Sequence, residues 1–409
     1  MLRSITIWGA TDRKTIYLYA GWLLGALLLL LLYIAKSIQT YLTLPPDQHA
    51  TFGDFSALWS YGQIVAAHKG ADLFHWQRLH EFQVALGMKA HREAPFPYLP
   101  SFMFLFRPLA LLPLGWSYLV WSVGTLLLFV WVVSRTVSNA PWSILAVLVG
   151  PTTTISLVCG QTGFLAAALM TAGLRLLRSR PILAGIAFGL LAFKPQLGLL
   201  VPVALLASGA WTAMLAASVT VASLSAVVTL CFGWRIWSDW LAQLPQYDVF
   251  FRDMTRTLPI QPTVAGNLHL LGCTDLAANS AQIIVALVVA GLIWRAYRTA
   301  SGRLADAALI VGTFLVTPHA FVYDLPMVTA ALCLFVEDRL RRGGGFHGAE
   351  ILTMMATTLF PAVMFIAEPG IPASTICLSV LLAMIVRRGQ LSLPFPTLDW
   401  LRPARLRIS

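Results

Sequence analysis

Apolar runs of nearly membrane-spanning length alternate with short basic or polar breaks along most of this chain. The first run, Ile16–Ile38, follows Arg13 and Lys14. A span needs about 20 apolar residues, so this run crosses once. It is too long for a signal-peptide core and no A-x-A site follows, so it reads as an uncleaved anchor with a cytoplasmic N-terminus. Further runs are Leu99–Leu114, Trp116–Ser134, Trp142–Val158, Phe164–Leu177, Ile182–Ala207 and Met214–Phe232. Nearer the C-terminus come Ala281–Ala296, Ala305–Val316, Leu325–Phe335, Ile351–Ala367 and Ile371–Val386. Several are short and interrupted by Pro or Gly. Such helices are tolerated at membrane depth only where they are buried in protein or line a wet cavity. The pattern predicts an all-α polytopic bundle of about 10 to 13 crossings with a groove inside it.

Two polar stretches divide the runs. Residues 39–97 form the longer one, with Asp54, Asp72, Glu81 and Glu93 and five of the eight histidines. Phe55, Leu58, Trp59, Gly62 and Val65 recur there at helical spacing, which predicts amphipathic helices along an outer membrane surface. Residues 234–271 form the second. Its Trp234, Trp237 and Trp240 suit an interfacial helix. The expected organisation is one domain: a span at 15–38, the outer loop 39–97, a bundle over 98–233, the interfacial stretch, C-terminal helices over 281–387 and a tail at 388–409. Arg175–Arg180, Arg339–Arg342 and Arg387–Arg388 should all be cytoplasmic. Strict alternation puts the first of these clusters on the wrong side. Either one segment is re-entrant, or Ile182–Ala207 is a hairpin of two half-helices turning near Lys194–Pro195.

Composition agrees with a membrane protein. Hydrophobic residues are 58% and charged residues 11% of 409 positions, with mean hydropathy +0.76. A soluble domain carries roughly 25% charged residues. The net charge of +11 comes from basic residues scattered between apolar runs. They form no continuous stripe of the kind nucleic acid requires. The five cysteines show no CxxC spacing, and His75 and His80, five residues apart, suit one helix face poorly as metal ligands.

Asp54 lies in Gly53-Asp54-Phe55, about 16 residues after the first span. It reads as a helix N-cap or as a general base whose pKa an apolar wall can shift; one residue can be both. Lys194 stands in the middle of the run Ile182–Ala207. A charge there marks a function or a partner, either a snorkelling lysine at a turn or a contact to a phosphate. Thr317-Pro318 reads as an N-cap and first helical residue, which places His319 where a helix start attracts anions. Asp324, five residues on, would hold Tyr323 or a neighbouring helix. Tyr98, Arg107, Gln161 and Gln196 complete the candidates. Tyr98 would shape the groove, and Gln161 would hydrogen-bond a sugar or end a helix.

These pieces form a pattern. DFSALW (54–59), YLPSFMFLFRPLALLPLGWSYLVW (98–121), GQTGFL (160–165), RPILAGIAFGLLAFKPQLGLLVPVALL (180–206) and TPHAFVYDL (317–325) resemble, in order, the polyprenol-phosphate-sugar glycosyltransferases of family 87. Tyr98-Leu99-Pro100 departs from that family's usual Tyr-Pro-Pro. The resemblance implies a GT-C-type helix bundle and a multi-pass bacterial inner-membrane protein with an outward-facing site. It implies inverting transfer of a hexose, mannose being the family's best-known donor sugar, from a polyprenyl phosphate to a glycolipid or envelope glycan. It also implies Asp54 as base and His319 as proton carrier or phosphate partner. Lys194, Gln196, Tyr98, Gln161, Tyr323 and Asp324 would contact substrate, with no cofactor, metal or nucleic acid involved. The rival readings are a transporter or flippase of a lipid-linked glycan, and an envelope glycan polymerase or ligase. A transporter often carries inverted repeats, and none is visible.

Overall fold

The computed structural model describes residues 54–88, 94–138, 140–257, 260–299, 302–367, 371 and 373–391, with a few positions between Leu24 and Ala35. Most of the anchor expected at Ile16–Ile38, residues 39–53 and 89–93 of the first polar stretch, and the tail from 392 lie outside the described residues. The described residues are helical, with no strand among them.

Helix α1 (Phe55–Ala66) and α2 (Trp76–Ala85) come from the first polar stretch. The helix expected from the Phe55–Val65 spacing forms. It is buried on most of its circumference, including Ser56 and Ser60, so it is packed within the protein rather than laid along a surface. The reason follows it in the chain. The run Leu99–Leu114 makes two 3-10 turns, Pro100–Leu105 and Arg107–Leu111, instead of a crossing. Pro100, Pro108 and Pro113 each remove a backbone N–H, so no α-helix can close over them. Even straight, this 12-residue stretch would reach only about 24 Å, short of a hydrocarbon core of about 30 Å. It lies against α1, held where Trp59 Nε1 donates to the Leu112 carbonyl at 3.1 Å.

Next come α3 (Leu114–Thr136), α4 (Ala140–Val149), α5 (Pro151–Cys159) and α6 (Gly163–Leu176). The run Trp142–Val158 is bent by 54° where α4 meets α5, at Gly150-Pro151. The run Ile182–Ala207 is broken into α7 (Pro181–Leu191), a 3-10 turn Pro195–Gly198 and α8 (Val201–Ser208). After these stand α9 (Trp211–Phe232), the amphipathic α10 (Arg235–Thr257) and the short α11 (Val264–Leu270). The C-terminal helices are α12 (Asp275–Thr299), α13 (Gly302–Val316), α14 (Pro326–Arg341), α15 (Gly348–Ala367) and α16 (Ala373–Leu391).

Among the described residues, α3, α9 and α12 are long and apolar enough to cross a membrane, and α4 with α5 adds a fourth if the bent pair is one span. Leu215, Leu230, Ile284 and Leu287 are exposed apolar residues on α9 and α12, as expected of helices whose solvent is lipid.

The arginine clusters gather at one end of the bundle. Arg175 at the end of α6 donates to the Arg135 carbonyl at the end of α3 (2.7 Å). Ser138, just beyond α3, bonds Glu337 on the last turns of α14, where Arg341 also pairs with Glu337 at 2.6 Å. Arg178 reaches Asp306 at the start of α13 (3.5 Å).

The Leu99–Leu114 segment forms two short 3-10 turns and no helix of span length, which takes one crossing out of the count that put Arg175–Arg180 on the wrong side. The hairpin is present as well. Gly185 and Gly189 on α7 meet Ala213–Ala217 and Ala217–Thr220 on α9, in the same order, so α7 and α9 run parallel. The chain between them therefore reverses at 192–194 and returns through α8. At the end of the bundle opposite the arginines lie Asp54, the α5–α6 junction and Asp324.

Candidate functional site

The Asp54 end is assembled from chain breaks rather than from helix faces. Asp54 occupies the N-cap position of α1, without a side-chain capping bond. Gly160 ends α5 in the left-handed conformation, φ +62, and a β-carbon there would press on Phe55 and Tyr118. Phe55, the neighbour of Asp54, is thereby packed on Gly160. Gln161 is half-buried, and its Oε1 has no hydrogen-bond partner among the described residues. Tyr98 is buried, with its hydroxyl beside Thr162 and within reach of the charges of Asp54 and Asp324. Its ring stands 6.1 Å from that of Phe193, the residue before Lys194.

Lys194 is where it is because Pro195 follows. A residue before proline is disfavoured in the α region, and Lys194 is accordingly extended (φ −118, ψ 77) between α7 and the next turn. Its ammonium is buried and bonds Asp324 Oδ1 at 2.6 Å, with the Tyr323 ring centroid at 4.8 Å. The second Asp324 oxygen accepts from the Phe321 backbone N–H (3.2 Å). A buried charge left alone would be costly, and the pairing makes Lys194 tolerable. The turn Val322–Asp324 is also held from behind. The Ser156 hydroxyl donates to the Tyr323 carbonyl, and a β-carbon on Gly163 would collide with that same carbonyl. Gln196 lies half-buried in the turn Pro195–Gly198.

The structure therefore brings together Asp54, Tyr98, Gln161, Lys194, Tyr323 and Asp324, one or two residues from each of the five sequence blocks. His319 does not join them directly. Helix α13 runs to Val316, so Thr317 stands at a helix end and not at a helix start, and Pro318 cannot continue it. Residues 317–321 form a non-helical linker, and the next helix begins at Pro326. The helix-dipole argument for an anion at His319 falls away. His319 packs on Phe251 of α10 at 5.9 Å, and the Thr317 hydroxyl donates to its carbonyl (2.9 Å). Its Nδ1 is buried without a hydrogen-bond partner. Burial lowers its pKa below the ordinary histidine range, against the opposing pull of Asp248.

Around it lies a polar belt. Arg252 bonds Asp248 and Asp275, Arg256 bonds Asp275 at 2.6 Å, and His269 Nε2 is 3.3 Å from Asp275. His75 approaches Asp239 at 3.8 Å. Among the described residues no three His, Cys, Asp or Glu side chains gather as a metal site would require.

Sequence reasoning passed over Ser156, Thr162 and Gly163, which shape the α5–α6 side of the site. The available signal was polar Thr152–Thr154, Ser156 and Thr162 inside a stretch otherwise apolar. No curated protein and no solved structure matches this chain. Residues 96–318, more than half of the chain, match the model of glycosyltransferase family 87. That region contains Tyr98, the α5–α6 junction and Lys194, and the chain belongs to glycosyltransferase family 87.

Proposed function

We propose that this membrane glycosyltransferase moves a hexosyl residue, mannosyl first, from a polyprenyl phosphate to a glycolipid or envelope-glycan acceptor at the outer face of a bacterial inner membrane. The convergence of Asp54, Tyr98, Gln161 and the Lys194–Asp324 pair at one end of the bundle, opposite the arginines, carries this reading. Basic loop ends stay in the cytoplasm, which would turn the Asp54 end outward.

In this mechanism the Asp54 carboxylate takes the proton of an acceptor hydroxyl while that oxygen attacks the anomeric carbon. The bond to the phosphate oxygen breaks, and the polyprenyl phosphate leaves as an anion. A single displacement inverts the anomeric centre and needs no second carboxylate as nucleophile. Lys194 has three N–H donors and uses one on Asp324, so the others can meet the departing phosphate. Gln161 and Tyr98 would hold sugar hydroxyls, with Tyr323 and Gln196 lining the approach. His319, kept neutral by its burial, would accept or pass a proton beside the linker.

The test is incubation of the purified protein, in lipid, with labelled polyprenyl-phosphate mannose, glucose and galactose in turn, together with a membrane lipid extract. Transfer of label from one donor to a lipid-extractable or glycan product is expected. No transfer from any of the three would overturn the donor assignment.

A further inference from the structure

A groove of about 990 Å³ opens between the start of α2 and one face of α10. It lies outside the cluster described above. Its size is at the upper end of the range for small-molecule sites, about 300–1,000 Å³, so it is larger than one sugar ring needs. On α10 the lining residues Asp239, Gln243, Gln246, Phe250 and Asp253 recur at helical spacing and make one stripe. From Asp239 to Asp253 this stripe is about 21 Å long. Opposite it stands Trp76, whose ring packs at 5.4 Å from Phe250 and 5.8 Å from Tyr247.

We infer that this groove binds the saccharide portion of the acceptor, as a short chain of neutral hexoses. The inference rests on the transferase reading above and adds the acceptor's binding place. Three observations carry it. First, the lining chemistry is that of sugar recognition: flat aromatic faces for the less polar side of a pyranose, alternating with amide and carboxylate groups that pair with hydroxyls. A prenyl or acyl chain would leave Asp239, Gln246 and Asp253 facing hydrocarbon, at a cost. Second, Gln246 is exposed toward the groove, so its amide is accessible to a ligand.

Third, the groove lies near the Asp54 end, and two series of packed rings link its lining to that end. Phe74, in its floor, packs on Phe96 at 5.4 Å, and Phe96 packs on Tyr98 at 5.3 Å. On the other side Phe250 packs on Phe251, Phe251 on Phe321 and Phe321 on Tyr323, with centroids 5.1–5.8 Å apart. A saccharide lying along α10 would thus be held a few ring contacts away from Tyr98 and Tyr323, the residues beside Asp54.

Binding can be measured without donor. Saturation-transfer NMR on the full-length protein in nanodiscs, with mannotriose, maltotriose and cellotriose as probes, should show transfer to ring protons of at least one of them. Trp76→Ala and Gln246→Ala should each weaken that signal, and the exposed-belt variant Arg256→Ala should keep it. Losing one hydrogen bond of about 1 kcal/mol corresponds to about fivefold in affinity. In turnover, Gln246→Ala should raise the KM for acceptor by about that factor with little change in kcat. Gln246 is exposed, so its variant is not expected to unfold the protein, and an unchanged thermal midpoint checks this.

Absence of saturation transfer to all three probes overturns the groove assignment. So does an unchanged signal in both variants, or displacement of the trisaccharide by polyprenyl phosphate alone. Retained saccharide binding with no transfer from any donor would instead reject the donor reading and leave the groove intact.

Discussion

Two sets of ion pairs in this molecule carry similar residues and opposite consequences. Lys194 and Asp324 meet with side chains only 5% and 1% exposed. Arg252 and Asp275, at the start of α12, meet with 31% and 36% exposed. The first pair ties a hairpin turn to the turn before α14; a proline follows Lys194, and another opens α14 two residues after Asp324. Neither can leave without stranding the other in a place water does not reach. The second set shares Asp275 between two arginines and sits near His269, so its members can exchange partners in solvent at small cost. Charge therefore fixes geometry at the Asp54 end and only decorates it along α10. The difference explains why a lysine can stand in the middle of an apolar run.

The largest expected effect is the loss of one buried partner. Lys194→Met should destabilise the protein by about 3–5 kcal/mol, since Asp324 is left buried and unpaired. Lys194→Met with Asp324→Asn should recover most of that, because Asn still accepts the Phe321 N–H. Thermal unfolding in detergent checks both, and equal midpoints for the single and double variants would break the contrast. A smaller loss is expected from Gly163→Ala. The added methyl meets the Tyr323 carbonyl, and overpacking of this kind costs about 1–3 kcal/mol. Activity should fall further than stability, because the turn carrying Asp324 must shift away from Lys194.

Acidification comes next. His319 is held neutral by burial, so the unfolded chain binds its proton more readily than the folded one. Stability from this group is complete above the ordinary histidine pKa and is lost as pH falls from there through the lowered folded value. The thermal midpoint should drop by a few degrees on going below about pH 6.5, and His319→Gln should flatten that drop. The smallest effect belongs to the exposed belt: Arg256→Ala should leave the midpoint almost unchanged, and a large fall would show that the belt is structural after all.

Much of this architecture was legible in the sequence, for identifiable reasons. α3 and α9 are uninterrupted apolar runs, and length alone fixes them. The break at Lys194-Pro195 was legible because a proline and a charge coincide there. Leu99–Leu114 was not, since hydropathy counts side chains and takes no account of the N–H groups that three prolines remove. The parity of the arginine clusters could not be resolved while that segment was counted as a span-length helix.

Thr317-Pro318 misled because Thr-Pro can start a helix or follow the end of one, and only the extent of α13 decides. Asp54, Lys194 and Asp324 were each picked out singly, but the pairing of the last two spans 130 positions and leaves no local trace. Ser156 was passed over because its partner, the Tyr323 carbonyl, lies 167 positions away in the chain.

The central claim is that chemistry happens at Asp54, in the end of the bundle that the Lys194–Asp324 pair holds in place. Its most direct test is sugar transfer by Asp54→Asn against the unaltered protein, using whichever polyprenyl-phosphate donor is active, with thermal midpoints measured in parallel. Removing a general base should lower turnover by about 10²–10⁴-fold with the midpoint and donor binding nearly unchanged. Transfer at an undiminished rate by the folded Asp54→Asn protein would contradict the account.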